Sequence, residues 1–497
     1  MSNRLIYSTI FKDKANITVA FILGLVFMIT SILMIENGGT ILWLVPPALI
    51  AVFLAFTAID KFLLFTVFLA PLSIQLRFII PDTSADIFLP TELMLAGILL
   101  LVFYKLIVGK EIYKKILNHP VSIISFCILG WCLITSFSST MPLVSLKSLI
   151  ARLWFFAGFY ILAIELFRKP GGIKNYFSAY VAGMIPVVLY YLVRMWQQGI
   201  FNQKMAHKNI RPFFNDHTSL GAALAFCIPV IVYFLTMKKM SLMARIGLSC
   251  LLFVIFVAFL LSYSRAAWLS LVAAGLVVLF LLFKISWKIV VPVLIAGTII
   301  VFISWSVIIM QLNENKQDSS DNIKSHLQSI SNIRSDASNL ERLNRWKCAL
   351  RMFREKPILG WGPATYQFNY APYQVASEKS IISTNRGVGG NAHSEYLGSL
   401  VDSGLPGMIL YILLLIVSIR KGIIIWKTHV DKQMRYLSLA LVAGLITYLV
   451  HGALNNFLDT DKISALFWGM IAGIVAIDIS MEKTTGGKES SEIGSDN

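Results

Sequence analysis

Residues 391–407 read NAHSEYLGSLVDSGLPG, and the stretch that follows, MILYILLLIVSI (408–419), carries no charge at all. His393, Glu395, Tyr396 and Asp402 therefore crowd directly against an apolar run of the kind that enters a bilayer. Similar runs, each near the roughly 17–25 residues needed to cross hydrocarbon, recur outward from this point through the chain. They fall at about 17–35, 41–59, 62–80, 92–108, 121–138, 146–166, 176–195, 218–236, 244–261, 266–283, 289–310, 404–419, 434–450 and 462–479. The run at 62–80 and the tight join around 262–266 are the weakest members of the series. Of 497 residues 57% are hydrophobic and only 14% charged, outside the range of a soluble domain. The fold class expected is an all-α polytopic membrane helix bundle. The first run has no small-residue cleavage site and a second span follows at once, so it reads as a retained helix.

The net charge of +17 is distributed against a nucleic-acid reading. Lys105, Lys110, Lys114 and Lys115; Arg168, Lys169 and Lys174; Lys238, Lys239 and Arg245; Lys284 and Lys288; and Arg420, Lys421, Lys427, Lys432 and Arg435 all occupy alternate connections. Those connections share a side with Arg4, Lys12 and Lys14. The positive-inside rule makes that side the cytoplasm and predicts both termini there. Of the five cysteines only Cys348 stands in a loop, so neither a disulfide framework nor a metal-ligand spacing is present. The tail 481–497 reads as solvated and disordered.

The remaining connections face outward, and one, 311–403, is far longer than the rest. Residues 311–337 are rich in Ser, Asn, Asp and Lys and read as flexible. Ser338 with Glu341 then forms a capping box, and Leu340, Leu343, Trp346, Leu350 and Phe353 recur at helical spacing. The helix predicted over about 339–355 ends at Pro357 and carries Arg342, Arg345 and Arg351. The organisation expected is a bundle over 1–310, an outer loop with this helix over 311–403, further spans over 404–480, and the tail. Arg211 and His217 stand just before a span in RPFFNDHTSLG. Arg265 stands in SYSRAAW between two spans, where a charge near hydrocarbon costs up to roughly 2.5–3.5 kcal/mol at a helix centre. Snorkelling to headgroups or a shared cavity with an anionic ligand would each account for it. Lys147 and Arg152 add to this outer positive field, and no phosphate-binding GxxxxGK[ST] loop occurs.

At these residues the chain resembles a known family. ERLNRWKCALRMFREKPILGWGPATYQF followed by NAHSEYLGSLVDSGLPG is similar to the signature region of the O-antigen ligase and polymerase superfamily. The match runs through Arg342, Trp346, Pro357, Gly360, Gly362, His393, Tyr396, Leu397 and Gly404. SYSRAAW resembles the family's Ser-Arg motif at Ser264 and Arg265, and RPFFNDHTSLG its other outer stretch at Arg211. The detailed likeness covers roughly the second half of the chain. Members commonly carry Asn after the histidine, where this chain has Ser394, and many have Pro-Asn where it has Asp216-His217.

The resemblance implies a GT-C-like inner-membrane bundle of about 12–14 transmembrane helices with a small helical periplasmic subdomain. It implies transfer of a glycan from an undecaprenyl-diphosphate carrier to an acceptor hydroxyl at the periplasmic face. In a ligase the acceptor is lipid A–core; in a polymerase it is another lipid-linked repeat; a protein acceptor is a third variant. His393 is then the candidate general base, with Arg211, Arg265 and Arg342 as diphosphate ligands. Glu395, Lys147, Arg152, Arg345 and Asp402 are supporting candidates. No cofactor and no metal are expected. Asp459-Thr460-Asp461 matches a metal-binding Asp-x-Asp pattern, but Lys462 follows directly and so short a pattern recurs by chance. His217 and His451 read as structural. The partners are the lipid-linked donor, the acceptor and membrane lipids, with no nucleic acid. A transporter is the rival class, and it would gather its polar groups at the bilayer midplane and repeat internally.

Overall fold

The computed structural model describes residues 58–79, 87–108, 111–200, 202–285, 288, 340–380, 383 and 390–492. The chain divides into two compact units, Met1–Thr66 and Val67–Asn497, and apart from the first helix, which runs across that boundary, all that follows concerns the second. The expected spans 17–35 and 289–310, the stretch 311–337 and Ser338 lie outside the described residues, as does 41–59 apart from its last two positions.

The described elements begin with α1 (Ile59–Leu69), the two-residue strands β1 (Ile74–Gln75) and β2 (Phe88–Leu89), α2 (Thr91–Val108) and α3 (Glu111–Leu117). The bundle continues through α4 (Pro120–Phe137), α5 (Pro142–Phe167), α6 (Gly172–Gln198), the short α7 (Gln203–Asn209), α8 (His217–Leu235), α9 (Leu242–Leu261) and α10 (Arg265–Leu282). After α11 (340–355) and α12 (Tyr366–Asn369) come α13 (Glu395–Thr428), α14 (Lys432–Leu454) and α15 (Asp461–Glu492). Among the described residues nine helices are long and apolar enough to cross a membrane: α4, α5, α6, α8, α9, α10, α13, α14 and α15. They coincide with nine of the expected spans, so the chain is an all-α multi-pass membrane protein. α15 continues as helix to Glu492, into the segment that the composition alone reads as an unstructured tail.

One expected span fails. The run 62–80 is helical only to Leu69; a 3-10 turn at Ala70–Leu72 and strand β1 follow, and β1 pairs antiparallel with β2, Ile74 opposite Leu89. Pro71 enters at the turn, and the freed backbone oxygens are used elsewhere. The Lys462 ammonium donates to Ala70 O at 3.2 Å and to Ser73 O at 2.9 Å. A buried cation thereby satisfies carbonyls that a continuing helix would have paired internally.

From Glu395 onward the polar stretch 391–407 is not a loop ahead of the span but the start of its helix. α13 starts at Glu395 and kinks at Gly404 (φ 69°, ψ −174°), so residues 395–403 form a separate opening segment. A Cβ at Gly404 would stand 1.9 Å from the Ile358 carbonyl oxygen, which is why the position demands glycine. Trp361 N and Gly362 N donate to Val401 O and Asp402 O at 2.9 Å each, lacing the Gly-x-Gly turn to that segment. The same turn docks on the α4–α5 connection: Thr140 N donates to Trp361 O (3.1 Å) and Ser145 Oγ to Pro363 O (3.0 Å). Cys348, Ala349 and Met352 of α11 pack with Tyr366, Tyr370, Ala392 and Val401 into a small apolar core. The helical subdomain is thereby fixed to the bundle through backbone contacts.

Candidate active site

His393 sits immediately before Ser394, the N-cap of α13, whose hydroxyl accepts from Leu397 N at 3.4 Å. Its backbone is held in the left-handed region (φ 49°), uncommon for a non-glycine residue. Two contacts impose this conformation: His393 N donates to Asn391 Oδ1 at 3.0 Å, and Trp346 Nε1 donates to His393 O at 3.3 Å. Trp346 is thus a clamp on the histidine's main chain, a role that its place on the apolar stripe of α11 does not reveal. Strain of this kind persists only where surrounding contacts over-determine it, and it marks functional positions. Burial lowers the imidazole pKa to about 4; the Arg342 and Arg345 charges push the same way, against Asp216 and Glu341. His393 is therefore a neutral imidazole at physiological pH.

Arg342 links this histidine to two distant segments. Burial lowers its pKa, Asp216 opposes that shift and the Arg265 charge adds to it, so both residues act on Arg342. The guanidinium remains charged throughout. Arg265 opens α10 behind the N-cap Ser264 and is exposed. Asp216 caps α8, its Oδ1 accepting from Thr218 N (2.8 Å), Thr218 Oγ1 (2.7 Å) and Ser219 N (2.8 Å). Burial alone would raise its pKa, but these hydrogen bonds and the neighbouring His217 and His207 hold the carboxyl below its usual range. The His217 ring meets His207 edge-on at 3.8 Å between centroids, and the Asp216 and Arg342 charges act on His451 as well. Groups at the starts of α8, α10 and α13 thus share electrostatic reach with Arg342, an arrangement that favours an anion. Asp216, His207 and His451 are members of this neighbourhood that the sequence does not point to. The available signal was Asp216-His217 standing against an apolar run, the same arrangement as the polar stretch at His393.

The other expected residues are placed differently. Arg345 is buried and engaged: its Nε donates to Glu341 Oε1 at 2.7 Å and its guanidinium lies 3.7 Å above the Tyr370 ring. Arg211 is exposed, and its Nε donates within its own loop to Asn215 O at 3.4 Å. Lys147 is exposed on α5. Arg152 lies among carboxylates, with Asp402, Asp459 and Glu395 acting on it and Cys132 Sγ 3.5 Å away. Asp402 does not touch His393 among the described contacts; its Oδ2 accepts from Ala364 N at 2.9 Å. Glu395 Oε1 accepts from Phe457 N (2.7 Å), Leu458 N (3.0 Å) and the Tyr448 hydroxyl, tying the α14–α15 connection to α13. Asp461 is buried, accepting from Thr91 Oγ1 and lying 3.5 Å from Lys462 Nζ. A lysine ammonium therefore already stands at one of the two Asp-x-Asp carboxylates.

Residues 250–412 match a family model described as O-antigen ligase. The matched segment holds Arg265, Arg342, the Gly-x-Gly turn, His393 and the kink at Gly404. This segment, about a third of the chain, is what is similar to the O-antigen ligase family. No curated protein sequence matches it. An O-antigen ligase domain implies a membrane glycosyltransferase activity of ligase or polymerase type, acting between a lipid-linked glycan and an acceptor. Arg211, Asp216 and His217 precede the matched residues and His451 follows them, so the neighbourhood of Arg342 is completed from outside the domain.

Proposed function

We propose that the protein transfers a glycan from an undecaprenyl-diphosphate carrier to a sugar hydroxyl at the periplasmic face of the bacterial inner membrane, as an O-antigen ligase with lipid A–core as acceptor. The observation that carries this is a neutral, conformationally constrained His393 in the field of Arg342, on which Arg265 acts in turn. His393 accepts the acceptor's hydroxyl proton while that oxygen attacks the anomeric carbon. The bond from that carbon to the diphosphate oxygen breaks, and its electron pair leaves with the carrier. One displacement inverts the anomeric centre. Fixed guanidiniums neutralise the charge developing on the leaving group, bidentately and without reorganisation. Arg342 and Arg265 are the ligands, and Arg211, exposed on the preceding outer loop, adds to the field that draws the anionic donor.

The supporting candidates take narrower roles. Glu395 anchors the α14–α15 connection, Asp402 and Arg152 balance one another, Arg345 holds the subdomain together, and Lys147 meets lipid headgroups. Donor binding also sharpens the base: a diphosphate beside Arg342 offsets the positive field that depresses His393, so the imidazole becomes more basic once substrate arrives.

The test is a gene deletion complemented with wild type, His393→Ala or Arg265→Ala, followed by analysis of surface and carrier-linked glycan. Wild type restores long glycan on core lipid, whereas both variants leave it unattached on the carrier. A residue of single repeats on core lipid would instead make the activity polymerisation. Full restoration by His393→Ala would remove the proposed base.

A further inference from the structure

Ser262, Tyr263 and Ser264 make the three-residue turn from which α10 starts, with Arg265 as its first residue. Tyr263 is left-handed (φ 50°), so the turn is strained and needs fastening. The end of α9 that leads into it is held from two sides. Tyr191 of α6 donates to Leu261 O at 2.7 Å, and Trp268 Nε1 of α10 donates to Phe259 O at 3.2 Å. The Ser262 carbonyl is met by His217 Nδ1 at 2.5 Å. A carbonyl only accepts, so Nδ1 must carry a proton whatever the state of Nε2. Four residues further along α8, Gly221 brings the helix so close that a Cβ there would stand 2.8 Å from Ser264 Cβ and 3.0 Å from Ser262 Oγ. α8 therefore presses on this turn with its backbone and holds it with one directional bond from a buried side chain.

We infer that His217 is a positioning residue for Arg265: its Nδ1–H, bound to the Ser262 carbonyl, holds the turn that aims the Arg265 guanidinium at the donor diphosphate. The aiming of Arg265 rests on the function proposed above; the fastening of the turn does not. Deleting the bond leaves a buried carbonyl unpaired and releases a left-handed residue directly before Arg265. The consequence falls on donor binding and not on proton transfer.

Side-chain shape makes this testable. An asparagine amide places an N–H near the Nδ1 position, a glutamine amide near Nε2, and leucine fills the space with no donor. The full-length purified protein, reconstituted in vesicles, is assayed with a polyprenyl-diphosphate glycan for donor KM and kcat. Amide hydrogen exchange over residues 259–266 is followed in the same preparations. His217→Leu and His217→Gln raise donor KM roughly tenfold, leave kcat within about threefold, and speed exchange in the turn. His217→Asn keeps both near wild type. Adding His217→Gln to Arg265→Ala costs nothing further, because the two act through one contact.

A glutamine variant that works where asparagine fails would assign the role to Nε2 and overturn the inference. So would a leucine variant with wild-type KM and exchange. If Arg265→Ala leaves donor KM unchanged while the leucine variant still loosens the turn, the fastening stands and the function assigned to Arg265 fails.

Discussion

Acidification from pH 7.5 to pH 5.5 is the perturbation that reads His393 most directly. An ordinary imidazole titrates near 6.5, and as a base it would be only about 9% neutral at pH 5.5. In this protein, burial, with Arg342 and Arg345 acting against Asp216 and Glu341, lowers the group to about 4. The active neutral form then makes up about 97% of the enzyme at pH 5.5. The sign follows from the depressed value: activity is lost only as pH falls through about 4. The assay is kcat/KM for glycan transfer in reconstituted vesicles, since that quantity reports the free enzyme. The expected profile is flat between the two pH values. Two variants move its acid limb in opposite directions: Arg342→Gln removes a cation and shifts it up, and Asp216→Asn removes an anion and shifts it down. The limb of kcat lies above that of kcat/KM, because bound diphosphate raises the histidine. A wild-type rate that falls about tenfold by pH 5.5 around a midpoint near 6.5 would mean that His393 is not a base of depressed pKa.

Other consequences are separable from that one. Glu395→Gln keeps one acceptor oxygen for the Phe457 and Leu458 amides and retains most transfer activity, whereas Glu395→Ala lowers the melting temperature; an inactive, stably folded glutamine variant would make Glu395 the base. Arg345→Leu strands the buried Glu341 carboxylate 2.7 Å away and destabilises the protein by about 3–5 kcal/mol, read as a lowered midpoint of thermal unfolding in detergent; an unchanged midpoint contradicts the anchoring role. Gly404→Ala drives a methyl into Ile358 O, so the subdomain becomes protease-sensitive, and wild-type resistance would show that the kink tolerates a side chain. Arg342→Lys keeps the charge but not the bidentate fork, so donor KM rises roughly tenfold; a lysine enzyme of wild-type KM would mean that charge alone suffices.

What was legible in the chain is what depends on one dimension. Hydropathy located the nine spanning helices, His393 and Arg265 stood out as polarity spent beside hydrocarbon, and Arg342 became a candidate only through the resemblance. The failures arise where a residue far away decides the local structure. The run at 62–80 has the composition of a span, but Lys462 collects its carbonyls and the chain turns back as β1. Arg345 and Arg342 stand on one helix, but Arg345 is engaged by Glu341 and Tyr370, whereas Asp216 and Arg265 act on Arg342, the proposed diphosphate ligand. Glu395 adjoins the histidine in sequence, yet its oxygen is committed to residues 448, 457 and 458. His217 read as structural because no local pattern reveals that its ring reaches Ser262.

The central claim is that His393 removes the acceptor proton while the arginines hold the diphosphate. Its most direct measurement is single-turnover transfer by purified protein in vesicles, wild type against His393→Ala, with donor affinity measured on both. The variant is expected to bind the polyprenyl-diphosphate glycan as tightly as wild type and to transfer it about 10²–10⁴ times more slowly. Transfer at the wild-type rate, or a slow rate explained entirely by lost donor binding, would contradict it.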